Sequence, residues 1–116
     1  MKEYQIQIKL INYLKSKKLS KLRFFHIPNQ GVRSIKYKML LAKMGMKSGC
    51  PDLILEFKGG KMVYIELKTQ KGSLSKSQKL WQNVSNALKT PHYILKGEIN
   101  DLFIQLNNII TKHYET

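Results

Sequence analysis

The chain is poor in several things, and the first of these shortages each exclude a class of protein. Cys50 is its single cysteine, so no internal disulfide forms and a metal site must draw on other ligands. A reducing compartment, most simply the cytoplasm, is expected. No apolar run exceeds the four residues of Met39 to Ala42, far short of the ~20 that cross a bilayer, so no membrane partner is expected. Met1 to Gln5 carry charge with no apolar stretch behind them, so no secretory leader is expected. Arginine occurs only at Arg23 and Arg33, and acids number 7 in 116 residues.

What is present is otherwise ordinary. Apolar residues make up 42% and charged residues 24%, which excludes disordered and collagen-like chains. The length suits one domain, residues 1–116, with no repeat or linker to divide it. Charge is the exception: 21 bases against 7 acids give a formal +14, and 19 of the bases are lysine. Such an excess repels itself in a compact state and matches a polyanion. Lysine is a compact charge suited to phosphate, whereas bidentate reading of base edges favours arginine. The balance therefore predicts binding to nucleic-acid backbone and shape rather than to sequence. A Lys- and Asn-rich codon bias from an AT-rich genome is the alternative account of the charge alone.

Residues 3 to 15 set Ile6, Leu10, Ile11 and Leu14 at helical spacing. Leu22 to Ile27 is short and aromatic, and Pro28 to Gly31 closes it as a strand. Residues 34 to 44 read as a helix with Gly45 at its C-terminal end. Asp52–Phe57 and Met62–Thr69 read as strands joined through Gly59-Gly60. Ser75 to Leu88 is a helix opened by a capping box, Ser75 with Gln78, and carrying Trp81, Val84 and Leu88 on one face. Pro91 precedes a strand at His92–Leu95, and Glu98–His113 closes the chain as a helix. The order α-β-α-β-β-α-β-α predicts an α/β fold, a four-stranded mixed sheet with helices on both faces.

The scarce acids cluster where charge is usually depleted, on the paired strands. A three-residue turn, Lys58 to Gly60, sets Asp52 opposite Glu66. One face of the hairpin then carries Leu53, Leu55, Phe57, Val63, Ile65 and Leu67, which must be core. The other carries Asp52, Ile54, Glu56, Met62, Tyr64, Glu66 and Lys68. A two-residue turn would pair Leu53 with Glu66 and mix the faces. Two facing carboxylates repel unless a cation sits between them or a proton is shared. Oxygen ligands without useful cysteine favour magnesium or manganese over zinc. Lys68, on the same side, can orient an attacking water or stabilise charge developing on phosphate. A structural Glu66–Lys68–Asp52 salt-bridge cluster accounts for the same spacing.

Gly49-Cys50-Pro51-Asp52-Leu53, followed at Glu66-Leu67-Lys68 by the second acid, resembles the P-D…E-x-K signature of the PD-(D/E)XK nuclease superfamily. Glu3 on the first helix, His26-Ile27-Pro28-Asn29, Gly45, and Gly72-Ser73-Leu74-Ser75-Lys76-Ser77-Gln78 before Trp81 extend the likeness. Together these motifs resemble the VRR-NUC family, the virus-type replication-repair nucleases, in a minimal stand-alone form, from Glu3 to about Leu95. The resemblance implies a restriction-endonuclease-like core and a Mg2+ or Mn2+ cofactor held by Asp52, Glu66 and the Leu67 main-chain carbonyl. It implies that Lys68 positions or polarises the nucleophilic water, that Glu3 completes the acidic shell, through water if it reaches the metal, and that Gln78 contributes from the helix after the sheet. By chemistry alone, Glu3 is already explained by the helix dipole and Gln78 by its capping box. A phage or mobile-element origin is implied by the likeness only.

The remaining residues read as structural. His26, His92 and His113 share no ligand spacing, Trp81 reads as core, and Cys50 as a small turn residue. Glu56 lies roughly 13 Å from Asp52 by strand rise, too far for one ion. The leading function is a metal-dependent, structure-selective DNA endonuclease that resolves four-way (Holliday) junctions. Stand-alone members of the family resemble junction resolvases and act as dimers, so a homodimer on branched DNA is expected. The candidate interface is the terminal-helix stripe of Leu102, Phe103, Leu106, Ile109 and Ile110, although core is the commoner fate of such a stripe. The alternatives are a non-catalytic basic DNA-binding module, which has no use for carboxylates beside phosphate, and a restriction- or homing-type endonuclease, for which two arginines are few.

Overall fold

The computed structural model describes residues 1–27 and 34–114. Its elements are α1 (Glu3–Lys17), β1 (Leu22–Phe25), α2 (Ile35–Lys43), β2 (Leu53–Phe57), β3 (Lys61–Lys68), α3 (Lys76–Ala87), β4 (His92–Lys96) and α4 (Ile99–His113). The expected order holds, with boundaries moved by a residue or two; Pro28 to Gly31, expected to close the first strand, lie outside the described residues. The sheet order is β1-β2-β3-β4. β1–β2 and β2–β3 are antiparallel, whereas β3–β4 is parallel because α3 carries the chain back across the sheet. No described helix is long and apolar enough to cross a membrane.

The hairpin takes the register that alternation demanded. Phe57 pairs with Lys61 and Leu53 with Ile65, leaving Lys58, Gly59 and Gly60 in the turn with both glycines at positive φ. Continuing that pairing one residue sets Asp52 opposite Glu66. Leu53, Leu55, Phe57, Val63, Ile65 and Leu67 join Leu95 in one buried layer, covered by Ile6, Leu10 and Leu14 of α1 and by Leu102, Leu106, Ile109 and Ile110 of α4. A one-residue slip would turn this whole layer outward.

The terminal helix is therefore not a free interface. Four of its five stripe residues are buried, and Phe103 packs on the core with its ring stacked on Tyr13 at 4.9 Å. Exposed apolar surface lies also on the other side of the sheet. There α3 covers Tyr64 with Trp81, edge to face at 5.8 Å, but Leu80, Val84 and Leu88 remain exposed, Leu88 at 72%. Trp81, expected as core, is half-buried, while Val84 and Leu88 on the same face stay exposed. Of the strands, α3 packs mainly on the edge strand β4, and most of its apolar stripe stays exposed. α2 buries none of its residues and exposes Ile35, Met39, Leu40 and Met44.

Candidate active site

Asp52 stands one residue before β2, and Glu66 stands on β3 directly across from it. Both are buried, Asp52 at 6% and Glu66 at 1% exposure. A buried carboxylate needs partners, and each has some. The Leu67 main-chain N–H donates to Asp52 Oδ2 at 2.8 Å, and Gln78 Nε2 donates to Glu66 Oε1 at 2.8 Å. Glu66 Oε2 is buried with no hydrogen-bond partner among the described residues. Burial, and then the Asp52 charge beside it, push the Glu66 carboxyl up from 4.5 to about 9; the nearby Lys68 ammonium pulls weakly the other way.

Glu3, the first residue of α1, reaches the same place. Its carboxyl is raised chiefly by burial; Lys68 lowers it and Asp52 raises it further. Lys68 follows Glu66 by two residues on β3 and shares its side of the sheet. The structure thus brings together Glu3, Asp52, Glu66, Lys68 and Gln78, all five side chains singled out from the sequence. Glu56 stays apart, accepting from Arg23 Nε at 2.6 Å across the β1–β2 ladder. The buried Cys50 thiol is raised by burial and then by the Glu66 and Asp52 charges, which leaves it unreactive.

Gln78 performs two tasks that sequence reasoning held apart. Its Oε1 accepts from the Ser75 N–H at 2.9 Å and completes the capping box, while its Nε2 holds Glu66. The first turn of α3 is in turn wedged against the loop that carries Asp52. Gly49 sits at φ +79°, and a Cβ there would lie 2.3 Å from the Ser77 carbonyl oxygen. Only glycine allows that approach.

From the sequence, His26 beside Pro28-Asn29 could approach DNA, although a strand-end histidine is the commoner case; the structure gives it a contact in the site. Because β1 pairs with β2 up to Phe25–Ile54, the next residue lands beside Asp52, and the His26 Nδ1–H donates to the Asp52 carbonyl at 2.7 Å. The β1–β2 register, which brings together residues 26 apart in sequence, was the missing signal. His26, Asp52 and Glu3 line an open cleft of about 380 Å³ whose long wall is α1.

No cluster of three or more His, Cys, Asp or Glu side chains forms a ready-made cation cage among the described residues. The oxygen donors on hand are the Asp52 and Glu66 carboxylates, with main-chain carbonyls of β3 and Glu3 nearby. The unpartnered Glu66 Oε2 fits a hard cation better than it fits a dry core. The arrangement, a hard-oxygen pair flanked by an ammonium in a cleft of a strongly basic protein, suits phosphodiester chemistry.

A solved structure described as a VRR_NUC domain protein superposes with a TM-score of 0.75 over 98% of this chain and 92% of that one, at 19% identity, which establishes the fold. No curated protein matches the chain. The VRR-NUC domain family model matches residues 1–97, the part that contains all five site side chains. The chain belongs to the VRR-NUC domain family, nucleases of the PD-(D/E)XK type.

Proposed function

We propose that this protein is a divalent-metal-dependent DNA endonuclease that resolves branched DNA, four-way junctions foremost, as a homodimer in the cytoplasm. The observation that carries the reading is the buried Asp52–Glu66 pair, with one Glu66 oxygen left unpartnered. A fold gains nothing from such a pair unless a cation or proton joins it. Asp52, Glu66 and the Leu67 carbonyl would hold Mg2+ or Mn2+, and Glu3 would complete the shell directly or through water. The bound ion would supply Lewis-acid charge toward phosphate and water. Lys68 orients the attacking water and offsets charge building on phosphate. Gln78 holds Glu66 in one rotamer and aims its free oxygen. The lysine excess grips backbone without reading bases.

One chain has one such site, whereas symmetric resolution needs two cuts. Two copies joined through the apolar surfaces of α2 and α3 would supply them. The α3 stripe borders a groove of about 460 Å³ walled by Tyr64 and Trp81, and α2 exposes apolar side chains of its own.

The test is cleavage of matched junction, flap and linear duplex with magnesium or manganese, with and without chelator. Cutting should stop in chelator. Asp52→Ala and Glu66→Ala should each lower it by at least about a hundredfold while DNA binding survives, since each removes negative charge near phosphate. Full activity in either variant would return the acids to a salt-bridge cluster with Lys68 and leave a basic DNA-binding module. Equal rates on all three substrates would leave a general nuclease.

A further inference from the structure

The cleft beside the carboxylates contains more than phosphate chemistry requires. From Glu3 it continues along α1 past Tyr4, Gln7, Ile8 and Asn12 to Lys15, about 18 Å of helix at 1.5 Å per residue. Tyr4 and Ile8, one turn apart on this wall, are 59% and 55% exposed. They do not belong to the core stripe of Ile6, Leu10 and Leu14, which lies on the neighbouring face of the helix. Base-paired DNA presents such a cleft with phosphates and sugars, for which lysine suffices. An unpaired base presents a π face and polar edges.

From this wall we infer that the α1 cleft binds one unpaired nucleobase next to the scissile phosphate, stacked on Tyr4 and flanked by Ile8. The inference rests on the nuclease reading above and deepens it. Three features converge. The aromatic residue adjoins Glu3, so a base stacked there leaves its own phosphate near Asp52. Gln7 supplies amide donor and acceptor groups of the kind that read base edges. Lys15 closes the far end with a positive charge for the neighbouring phosphate. His26 also lines the cleft, its ring held by the bond to the Asp52 carbonyl. Stacking of this kind tolerates any base, in keeping with a protein that has two arginines for sequence reading.

The experiment uses the full chain in chelator, where no cutting occurs. The probe is a duplex with one unpaired 2-aminopurine nucleotide, compared with its fully paired counterpart. Wild type should bind the bulged duplex more tightly and quench its fluorescence. Tyr4→Ala should weaken the bulged duplex by about tenfold more than the paired one, within the range of a lost base–aromatic stack, and Tyr4→Phe should restore both affinity and quenching. Equal loss on both duplexes, or no loss, overturns the inference. Because binding is read without cleavage, the two readings fail separately. Cutting in magnesium with an indifferent Tyr4→Ala removes only the base site, whereas a Tyr4-dependent bulge preference without any cutting removes only the nuclease.

Discussion

Without a bound cation, Glu66 keeps its proton at neutral pH, because burial and the Asp52 charge place its carboxyl near 9 against an ordinary 4.5. Between those two pH values the folded chain holds one proton more than the unfolded chain. Stability therefore falls as pH rises from about 4.5 to about 9, and levels off above. Glu66→Gln keeps the bond from Gln78 and removes the titration. In chelator it should raise the melting temperature by several degrees at pH 8 and leave it unchanged at pH 4, read by thermal melts across that range. An equal gain at both ends would mean that packing, not charge, had changed. Added divalent cation should stabilise wild type more than the variant. At this scale Asp52, Glu66 and Lys68 were legible because period-2 alternation on a three-residue turn leaves one register. Glu3 and Gln78 were legible only through family likeness, since each had a sufficient local explanation as helix-end chemistry. His26 stood out only as part of a family motif, and its bond to Asp52 was not legible, because it depends on a main-chain carbonyl brought near by a long-range strand pairing.

Among the elements, α3 sets the site's geometry through its first turn. Gly49 lets that turn lie against the loop before β2, so Gln78 and Asp52 are placed by one contact. Gly49→Ala meets both a left-handed φ and the Ser77 carbonyl. It should cost well over ~1 kcal/mol and lower cleavage beyond what the lost folded fraction explains, because Gln78 would be displaced from Glu66. Denaturation curves with single-turnover rates separate the two effects, and a variant with wild-type rates in its folded fraction would show that the wedge serves stability alone. The elements also explain why the apolar stripe of α4 and that of α3 met different fates. Both have apolar residues at helical spacing, and periodicity says only that a face is to be covered. Which one the sheet covers depends on the crossover of α3 and the return of α4 over β4, a tertiary fact that no local pattern contains.

For the whole molecule, charge and apolar surface act in opposite directions. Two copies at +14 each repel, so association through α2 and α3 should strengthen with salt, the reverse of DNA binding. Light scattering should give twice 13.5 kDa for wild type and a single chain for the double variant Leu80→Asp, Leu88→Asp. Both positions are exposed, so the monomer's melting temperature should stay within a few degrees. A wild-type monomer on junction DNA would leave each molecule cutting alone. The three-residue turn has one more effect, in time rather than space. Gly59 and Gly60 close the shortest loop in the sheet, and the hairpin zips from there toward Asp52 and Glu66, the last pair, whose two carboxyl groups cannot both be ionised without a cation between them. Nucleation thus starts at the end farthest from the carboxylates, where loop-closure entropy is smallest. Substitutions near the turn should slow refolding, whereas changes at Glu66 should fall on the unfolding arm of the chevron, with φ-values near zero. The chain would then commit to its fold before it has to bring its two site carboxyls together.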